Sequence, residues 1–353
     1  MKTRRSEAPA ARRGDEGWMR RAMALARRGV GLTSPNPAVG AVLVRGGRII
    51  GRGWHHRAGG PHAEIVALAD ARRNRLPTRG ATLYVTLEPC STHGRTPPCT
   101  DAIAAAGVRR VVYGATDPNP RHLGRARRIL TRRGVTVTGG VLGENCAALN
   151  RAFNRWITTG RPWVIAKIAM SADGRISPPP GRPKRITSAA ALRRAHELRL
   201  WSDAIIVGAE TVRSDDPALT VRLCDRARQK PQPWRVIMTH SGRLPKKARL
   251  FTDAHRERTL VFRNRPWAHV LKDLGRRGVT AVLLEGGGKL LATAFEANCV
   301  DEIAFFIAPR ILGGETLAIG ARRFFGRGLA VREFLVSRLG PDVLLQGYVH
   351  RTG

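Results

Sequence analysis

A short His-x-Glu motif and two later cysteines constrain this chain more than any other feature. His62-Ala63-Glu64 is followed by Pro89-Cys90 and by Cys99. One imidazole and two thiolates are ligands of the kind that Zn²⁺ prefers, and a catalytic zinc site keeps its fourth position open for water. The fold must therefore bring the histidine and both cysteines together, and we predict a hydrolytic zinc centre.

The glutamate two residues after the histidine supplies a proton carrier. Zn²⁺ lowers the pKa of a bound water from about 15.7 to about 7, and the released proton must reach the leaving group. A carboxylate beside the metal can carry that proton, as in the H-x-E…P-C-x-x-C signature of zinc deaminases. We therefore predict that Glu64 is the general acid and base.

The cysteine spacing departs from that signature, because Cys99 lies nine positions after Cys90 and a longer loop must close on the metal. His93 within this loop is an alternative ligand. Another alternative is a buried histidine beside two cysteines that pack as small hydrophobic side chains. The glutamate, Pro89 and the apolar helical run at 65–69 favour the metal site.

Size and cysteine content narrow the class of protein. With 353 residues, 42% of them hydrophobic and 5% aromatic, the chain is long enough for two α/β domains with a core each. No run approaches the roughly 20 apolar residues of a membrane span, and no apolar signal core precedes the first motif. Five cysteines, two of them in the metal motif, indicate a reducing compartment. We therefore expect a cytoplasmic protein without membrane contact.

The formal net charge of +36 would favour a nucleic-acid partner. The arginines, however, are scattered through both halves in pairs such as Arg27-Arg28 and Arg276-Arg277. They lack the interleaved aromatic residues on which single-strand binders stack bases. We therefore expect no nucleic-acid partner, and the charge favours a small anionic substrate.

Hydrophobic periodicity divides the chain into a tail and two domains. Residues 1–15 are polar, basic and aperiodic, which predicts a disordered tail. Strands and helices alternate through 16–157 and again through 158–353, which predicts layered α/β sheets in both domains.

Three local patterns make sharper predictions. Gly46-Gly47 joins two strand-like runs and predicts a hairpin, and 143–155 has the periodicity of one helix. The run Glu285-Gly286-Gly287-Gly288-Lys289 stands between a strand and a helix, where glycines let the backbone approach a phosphate. A tight turn without a ligand is the alternative, since the G-x-G-x-x-G dinucleotide fingerprint is missing there.

Together the motifs resemble the bifunctional deaminase/reductase family of riboflavin biosynthesis. In the first half the resemblance rests on segments 34–40, 53–55, 61–64, 87–90, 94–99 and 117–120, and the nine-residue step between the cysteines is a family trait. It implies a three-layer, cytidine-deaminase-like domain that removes the 2-amino group of a 2,5-diamino-6-ribosylamino-4(3H)-pyrimidinone 5′-phosphate. It also implies that His62, Cys90 and Cys99 hold zinc and that Glu64 carries protons.

The same resemblance implies the substrate contacts of this domain, which are Asn36, His55, Arg95 and Asn119. Arg95 is the candidate for the substrate phosphate, because a guanidinium can hold it bidentately. The two asparagines lie in Pro-rich turns, where asparagine also occurs for local reasons.

The second half resembles the family's reductase domain, which is similar in fold to dihydrofolate reductase and uses NADPH to convert a ribosyl side chain to ribityl. The resemblance rests on 171–175, 186–188, 208–222, 285–287 and 308–314. It implies a catalytic Lys167 and substrate contacts from Arg199, Leu219, Arg222 and Glu285. The implied NADPH contacts are Ala169, Thr211, Asp215, Gly287, Gly288, Lys289, Leu290, Leu291, Ala292 and Thr293.

Three segments depart from the family pattern. A Pro-rich run at 178–185 replaces a polar residue and a tryptophan, Thr239-His240 replaces Asp-Ser, and Gly124-Arg125-Ala126 replaces Gly-x-Gly. Two other functions therefore stay open: a zinc deaminase whose second domain serves only assembly, and a nucleic-acid deaminase whose basic second half binds RNA. We also expect a homo-oligomer.

Overall fold

The computed structural model describes residues 9–92, 97–120, 122–177, 185–223, 225–314, 319 and 328–350. The chain divides into two compact units, Met1–Thr159 and Gly160–Gly353. Along the described residues, we find no helix with the length and apolar character that a membrane span requires.

The first unit contains a five-stranded sheet. Its strands, in the sheet order β2-β1-β3-β4-β5, are β1 (Gly40–Arg45), β2 (Arg48–Trp54), β3 (Thr82–Leu87), β4 (Arg110–Ala115) and β5 (Thr136–Gly139). Its helices are α1 (Pro9–Gly29), α2 (Ala63–Arg73), α3 (Cys99–Ala105), α4 (Arg125–Arg132), α5 (Gly143–Leu149) and α6 (Arg151–Thr159). The predicted hairpin is confirmed, because β1 and β2 pair antiparallel across a turn in which Gly46 and Gly47 have positive φ.

Helices cover both faces of this sheet. Leu68 of α2, Ile103 of α3 and Leu130 of α4 are buried in the core on one face. Met19 of α1 and Cys146 of α5 are buried in the core on the other. The first unit is therefore the predicted three-layer α/β domain.

Two predictions for this unit are wrong, and tertiary contacts explain both. Residues 9–15 belong to α1 and not to a disordered tail: buried Asp15 accepts hydrogen bonds from Arg110 (2.9 and 2.7 Å) and from the Tyr84 hydroxyl (2.7 Å). The predicted helix 143–155 is two helices, because Asn150 turns its side-chain amide onto the backbone N–H and C=O of Ala38 (2.7 and 3.0 Å). Residues 1–8 lie outside the described part of the chain.

The second unit contains an eight-stranded sheet in the order β12-β13-β11-β6-β10-β7-β8-β9. Its strands are β6 (Trp163–Ser171), β7 (Ala204–Gly208), β8 (Trp234–Thr239), β9 (Thr259–Arg263), β10 (Ala281–Leu284), β11 (Glu302–Ala308), β12 (Ala330–Leu339) and β13 (Asp342–His350). Its helices are α7 (Ala189–Trp201), α8 (Ala209–Asp215), α9 (Arg249–Thr252), α10 (Trp267–Arg276) and α11 (Gly288–Glu296).

Six neighbouring strands of this sheet, from β11 to β9, are parallel, and β12 and β13 add an antiparallel hairpin. Parallel pairing in register places Leu284 beside both Ala166 and Ile206. Lys167 and Glu285, the next residues along their segments, are therefore neighbours at the carboxyl end of β10.

Candidate active sites

The predicted metal ligands lie at the starts of two helices and beyond the end of one strand. His62 is the N-cap residue of α2, Cys99 is the first residue of α3, and Cys90 follows β3. The His62 Nδ1 atom lies 3.5 Å from Cys90 Sγ and 3.3 Å from Cys99 Sγ. The three ligand atoms all lie within 4.8 Å of one another. The structure thus brings together the residues that the motif predicted.

The two thiols of this cluster shift each other's pKa in opposite directions. Hydrogen bonds from the Cys99 side chain and from His62 lower the pKa of Cys90 to about 4, and the Cys99 N–H also donates to Cys90 Sγ at 3.2 Å. The hydrogen bond with Cys90, together with burial, raises the pKa of Cys99. A bound cation would ionise the second thiol.

Glu64 lies in the first turn of α2 with 3% of its surface exposed. Burial first, and then the negative charge of Cys90, raises the pKa of Glu64 to about 7. Gly53 of β2 permits this arrangement, because a Cβ there would stand 2.2 Å from the backbone oxygen of Ala63. The close approach fits β2 against the first turn of α2, beside the cysteines.

His55 and Asn36 stand next to the metal cluster. The His55 Nδ1–H donates to the Pro61 carbonyl (3.0 Å), so Nε2 is left to accept from the Asn36 side-chain amide at 3.1 Å. The ring of His55 lies edge-on to that of His62, with 5.5 Å between centroids. Burial lowers the pKa of His55, which keeps its imidazole neutral and oriented by two partners.

The loop that carries Asn119 lies beside the end of β3, because β3 and β4 are parallel neighbours. Buried Glu88 accepts backbone hydrogen bonds from Asp117 (3.4 Å), Gly124 (3.1 Å) and Ala126 (3.2 Å). The departure at 124–126 is therefore tolerated, since these contacts use backbone atoms. Arg95 and His93 lie outside the described residues.

In the second unit, a buried ion cluster surrounds Glu285. Arg199 of α7 donates from Nε and Nη2 to the two carboxylate oxygens at 2.6 and 2.9 Å, and Lys167 Nζ lies 3.9 Å from Oε2. Burial alone would raise the pKa of Glu285, but the charges of Arg199 and Lys167 lower it to about 2. Burial also lowers the pKa of Lys167, an effect that Glu285 opposes.

Residues expected to contact the substrate in this unit differ in their surroundings. The charge of Arg199 is paired with Glu285, so a phosphate ligand would depend on Arg222, which pairs with no carboxylate in the described part of the chain. Leu219 is 2% exposed, so its side chain faces the core and only its backbone is left to meet a ligand.

The turns after β7 and β10 lie side by side, as expected for a cofactor site. If Gly208 carried a Cβ, that atom would lie 3.8 Å from the Leu290 side chain. If Gly287 carried a Cβ, it would lie 3.9 Å from Thr211 Oγ1. Asp215 is the last residue of α8 and is exposed, and Ala169 is half-buried on β6.

The residues expected to contact NADPH at 287–293 differ in their exposure. Leu291 and Ala292 are 0% and 2% exposed, so their side chains face the core. The Thr293 hydroxyl accepts from Trp267 Nε1 (3.1 Å) and donates to the Leu290 carbonyl (2.8 Å). The buried side chains of Leu291 and Ala292 leave only their backbone to meet a cofactor, whereas Thr293 is exposed, and the contact with 287–293 stays a prediction. Gly287, Gly288 and Lys289 form the turn itself.

Comparisons with known proteins find matches for both units of the chain. Residues 12–115 match the family model of the cytidine and deoxycytidylate deaminase zinc-binding region, and residues 162–345 match that of the RibD C-terminal domain. The riboflavin biosynthesis protein RibD of Aquifex aeolicus (strain VF5) is 38% identical over 94% of this chain and 97% of its own length. That of Escherichia coli (strain K12) is 36% identical over 94% and 98%.

This chain belongs to the RibD family. A solved structure from Thermotoga maritima, a diaminohydroxyphosphoribosylaminopyrimidine deaminase/5-amino-6-(5-phosphoribosylamino)uracil reductase, superposes with a TM-score of 0.87 at 35% identity and covers 96% of this chain and 100% of that one. The RibD-family chain is thus a bifunctional enzyme of riboflavin biosynthesis, with a zinc-binding deaminase domain and an NADPH-using reductase domain.

The cluster of His62, Cys90 and Cys99 fits zinc. Tetrahedral coordination, with Zn–N of about 2.0–2.1 Å and Zn–S of about 2.3 Å, places an imidazole nitrogen about 3.6 Å from a thiolate sulfur. The corresponding distances of 3.5 and 3.3 Å in the structure agree with that value. In this RibD-family chain His62, Cys90 and Cys99 are therefore already close to the geometry of a zinc site.

The turn at 286–289 fits a dinucleotide phosphate. A side chain on Gly286 would clash with Leu290, at 2.8 Å from its Cδ2 atom, so glycine keeps the backbone open at the N-terminus of α11. Helix N-termini favour phosphates. Of the departures, 178–184 lies outside the described residues, and Thr239 closes the turn after β8 through its Oγ1 contact with the Gly242 N–H (3.1 Å).

Three residues near these sites were missed by the sequence reasoning: Glu88, His196 and Gln232. Glu88 lies within the Leu-Glu-Pro-Cys run and His196 one helical turn before Arg199, so proximity to a motif could have indicated both. Gln232 had no such signal, because its partner Val221 is distant from it in sequence.

Proposed function

We propose that this chain deaminates diaminohydroxyphosphoribosylaminopyrimidine and then reduces 5-amino-6-(5-phosphoribosylamino)uracil, the two activities in the name of the Thermotoga maritima relative. The observation that carries the proposal is the presence, in one chain, of a His62-Cys90-Cys99 cluster beside a buried Glu64 and of a Lys167-Glu285-Arg199 cluster beside two glycine turns. The substrate of the first step is a 2,5-diamino-6-ribosylamino-4(3H)-pyrimidinone 5′-phosphate.

In the deaminase unit, zinc lowers the pKa of water and so supplies a nucleophile at neutral pH. With the metal bound, Glu64 would accept one proton from the attacking water and pass it to the ring nitrogen, and it would then pass the second proton, from the added hydroxyl, to the amino group, which leaves as ammonia. Its buried position beside Cys90 and Cys99 keeps bulk water from competing for the proton.

Substrate contacts in this unit are assigned to Asn36, His55, Asn119 and Arg95. Neutral His55, held by Pro61 and Asn36, offers a fixed polar edge to the pyrimidine. Asn119 lies in the loop that Glu88 holds and is assigned to the ring, and Arg95 is assigned to the phosphate.

In the reductase unit, NADPH supplies the electrons that reduce the ribosyl carbon. Lys167 polarises the ring-opened imine or aldehyde, and Glu285 holds the ammonium in place at 3.9 Å. Arg222 binds the substrate phosphate, because its guanidinium is exposed while that of Arg199 is committed to Glu285. The cofactor contacts are assigned to Ala169, Thr211 and Asp215 with the backbone of 287–289.

Purified protein given the diaminopyrimidine phosphate and NADPH tests this function. Release of ammonia with oxidation of NADPH supports it, and ammonia alone supports a second domain that serves only assembly. Glu64→Gln should lose ammonia release but still oxidise NADPH when 5-amino-6-(5-phosphoribosylamino)uracil is added, and Lys167→Met should lose NADPH oxidation but still release ammonia. Deamination of tRNA without activity on the pyrimidine would contradict the proposal.

We further propose that the chain forms a homo-oligomer and has no nucleic-acid partner. β12 is an edge strand of the described sheet, and its Phe334, Leu335 and Val336 are 51%, 65% and 63% exposed. Exposed apolar edge strands favour association with another chain. Light scattering of the chain and of the Leu335→Glu variant tests the assembly. Retention of the chain on RNA at 150 mM salt would contradict the proposal that it has no nucleic-acid partner. A cytoplasmic location is supported by the free thiols of the metal cluster, which a reducing compartment preserves.

A further inference from the structure

The segment that carries Arg222 is an irregular turn. Residues 217–222 follow α8 and belong to no strand, and Leu219 within them has a φ of +48°. A left-handed conformation at a residue other than glycine persists only when the surrounding structure holds it. The contacts of this turn therefore decide where Arg222 stands.

Side chains from distant parts of the unit hold the backbone of the turn. Gln232 pairs with Val221 through both of its amide atoms, accepting from the N–H at 2.7 Å and donating to the C=O at 3.1 Å. Arg199 donates to the Thr220 carbonyl at 3.0 Å, and Arg235 donates to that of Ala218 at 3.3 Å.

The backbone of Arg222 itself is held by His196. The Arg222 N–H donates to His196 Nδ1 at 3.1 Å. Because a backbone N–H can only donate, Nδ1 carries no proton, and the imidazole must be neutral to accept. His196 is 2% exposed on α7, one helical turn before Arg199.

The surroundings of His196 favour the neutral form. Burial first, and then the positive charges of Arg199 and Arg222, lowers the pKa of His196 to about 4. The carboxylate of Glu285 opposes this shift and the ammonium of Lys167 adds to it. The acceptor that Arg222 requires is therefore present at neutral pH.

The other end of Arg222 is fixed as well. Its Nη1 atom donates to Thr220 Oγ1 at 2.6 Å, within the same turn. The backbone contact with His196 and this side-chain contact hold both ends of Arg222, while the residue stays exposed. An anion that docks against Arg222 thus meets a group that is already oriented, which reduces the entropy lost on binding.

We propose that His196 is a positioning residue of the reductase site, which as a neutral hydrogen-bond acceptor fixes the turn so that Arg222 meets the phosphate of the substrate. The inference rests on the proposed phosphate contact of Arg222. His196 does not touch the reacting atoms, so its loss weakens substrate binding and leaves the chemical step intact.

A matched pair of substitutions tests the geometry. His196→Asn keeps an amide oxygen at the position of Nδ1, whereas His196→Gln moves it one bond farther along the side chain. With 5-amino-6-(5-phosphoribosylamino)uracil and NADPH, we expect His196→Gln to raise KM about fivefold with kcat unchanged, the effect of one lost hydrogen bond. His196→Asn should restore the KM. Ammonia release and NADPH binding by fluorescence, unchanged in both variants, verify folding.

A double-mutant cycle with Arg222→Gln completes the test. Arg222→Gln alone should raise KM, and adding His196→Gln should raise it no further, because both act through one contact. Equal KM values for His196→Asn and His196→Gln would overturn the positioning role alone. So would a double variant in which His196→Gln raises the KM of Arg222→Gln as much as it raises that of the parent. An unchanged KM in Arg222→Gln would overturn the phosphate contact and the inference together.

Discussion

Glu285→Gln should destabilise the reductase unit by about 3 kcal/mol at pH 7. The substitution leaves the charges of Arg199 and Lys167 in place, where their side chains are 14% and 17% exposed. Removing one partner of a buried ion pair costs about 3–5 kcal/mol, because the remaining charge stays desolvated.

The pKa of Glu285 gives a second value for the free energy of unfolding that Glu285→Gln should lose. It falls from 4.5 to about 2 in the folded chain. At about 1.4 kcal/mol for each pKa unit, this difference corresponds to about 3 kcal/mol. Since the folded-state pKa lies below the unfolded one, the stabilisation is full above pH 4.5 and is lost as the pH falls towards 2.

The assay is urea unfolding, monitored by hydrogen exchange of the β6 and β10 amides. These amides report on the second unit separately from the first. The difference in unfolding free energy between the two proteins should narrow by about 1 kcal/mol between pH 7 and about pH 3.5. Glu210→Gln is the control, because Glu210 is 82% exposed in its pair with Arg213 and its loss should cost less than about 1 kcal/mol. Equal stability of Glu285→Gln and the parent at pH 7, or a difference that does not change with pH, would refute the argument.

Three further predictions concern the deaminase unit. Glu64→Gln should retain zinc by elemental analysis yet lose about 10²–10⁴-fold in ammonia release, since a general acid and base is removed; near-normal turnover at equal zinc content would exclude this role. Removing zinc with a chelator should abolish ammonia release but preserve NADPH oxidation on the deaminated substrate, and loss of both activities would contradict separate sites. Gly53→Ala should destabilise the first unit by about 1–3 kcal/mol in urea unfolding and weaken zinc retention, because its Cβ would meet the Ala63 oxygen at 2.2 Å. Gly17→Ala, where a Cβ meets nothing within 4 Å, is the control, and equal stability of the two variants would contradict the close approach.

The chemistry-bearing residues of the deaminase site were readable from the sequence because each lies in a short motif. His62 and Glu64 are two positions apart, and the apolar run at 65–69 predicts the helix that became α2. The glycine turn at 285–289 was recognisable for the same reason, since the change from strand to helix is a local pattern.

Residues whose partners are distant in sequence could not be found in this way. The sequence around Asp15 predicts a tail because its partner Arg110 lies far along the chain, in β4, and Asn150 ends a helix through a contact with Ala38. The strands β12 and β13 were not predicted at all, although they form one end of the second sheet.

By itself, therefore, the sequence determined which atoms can bind zinc, carry a proton and meet a phosphate, because those properties belong to side chains in short motifs. Only the tertiary structure decided how they are used. It paired Arg199 with Glu285, left Arg222 exposed, and turned Leu291 and Ala292 into the core. Charge pairing and burial depend on neighbours that the fold brings together from distant positions, and no local pattern records them.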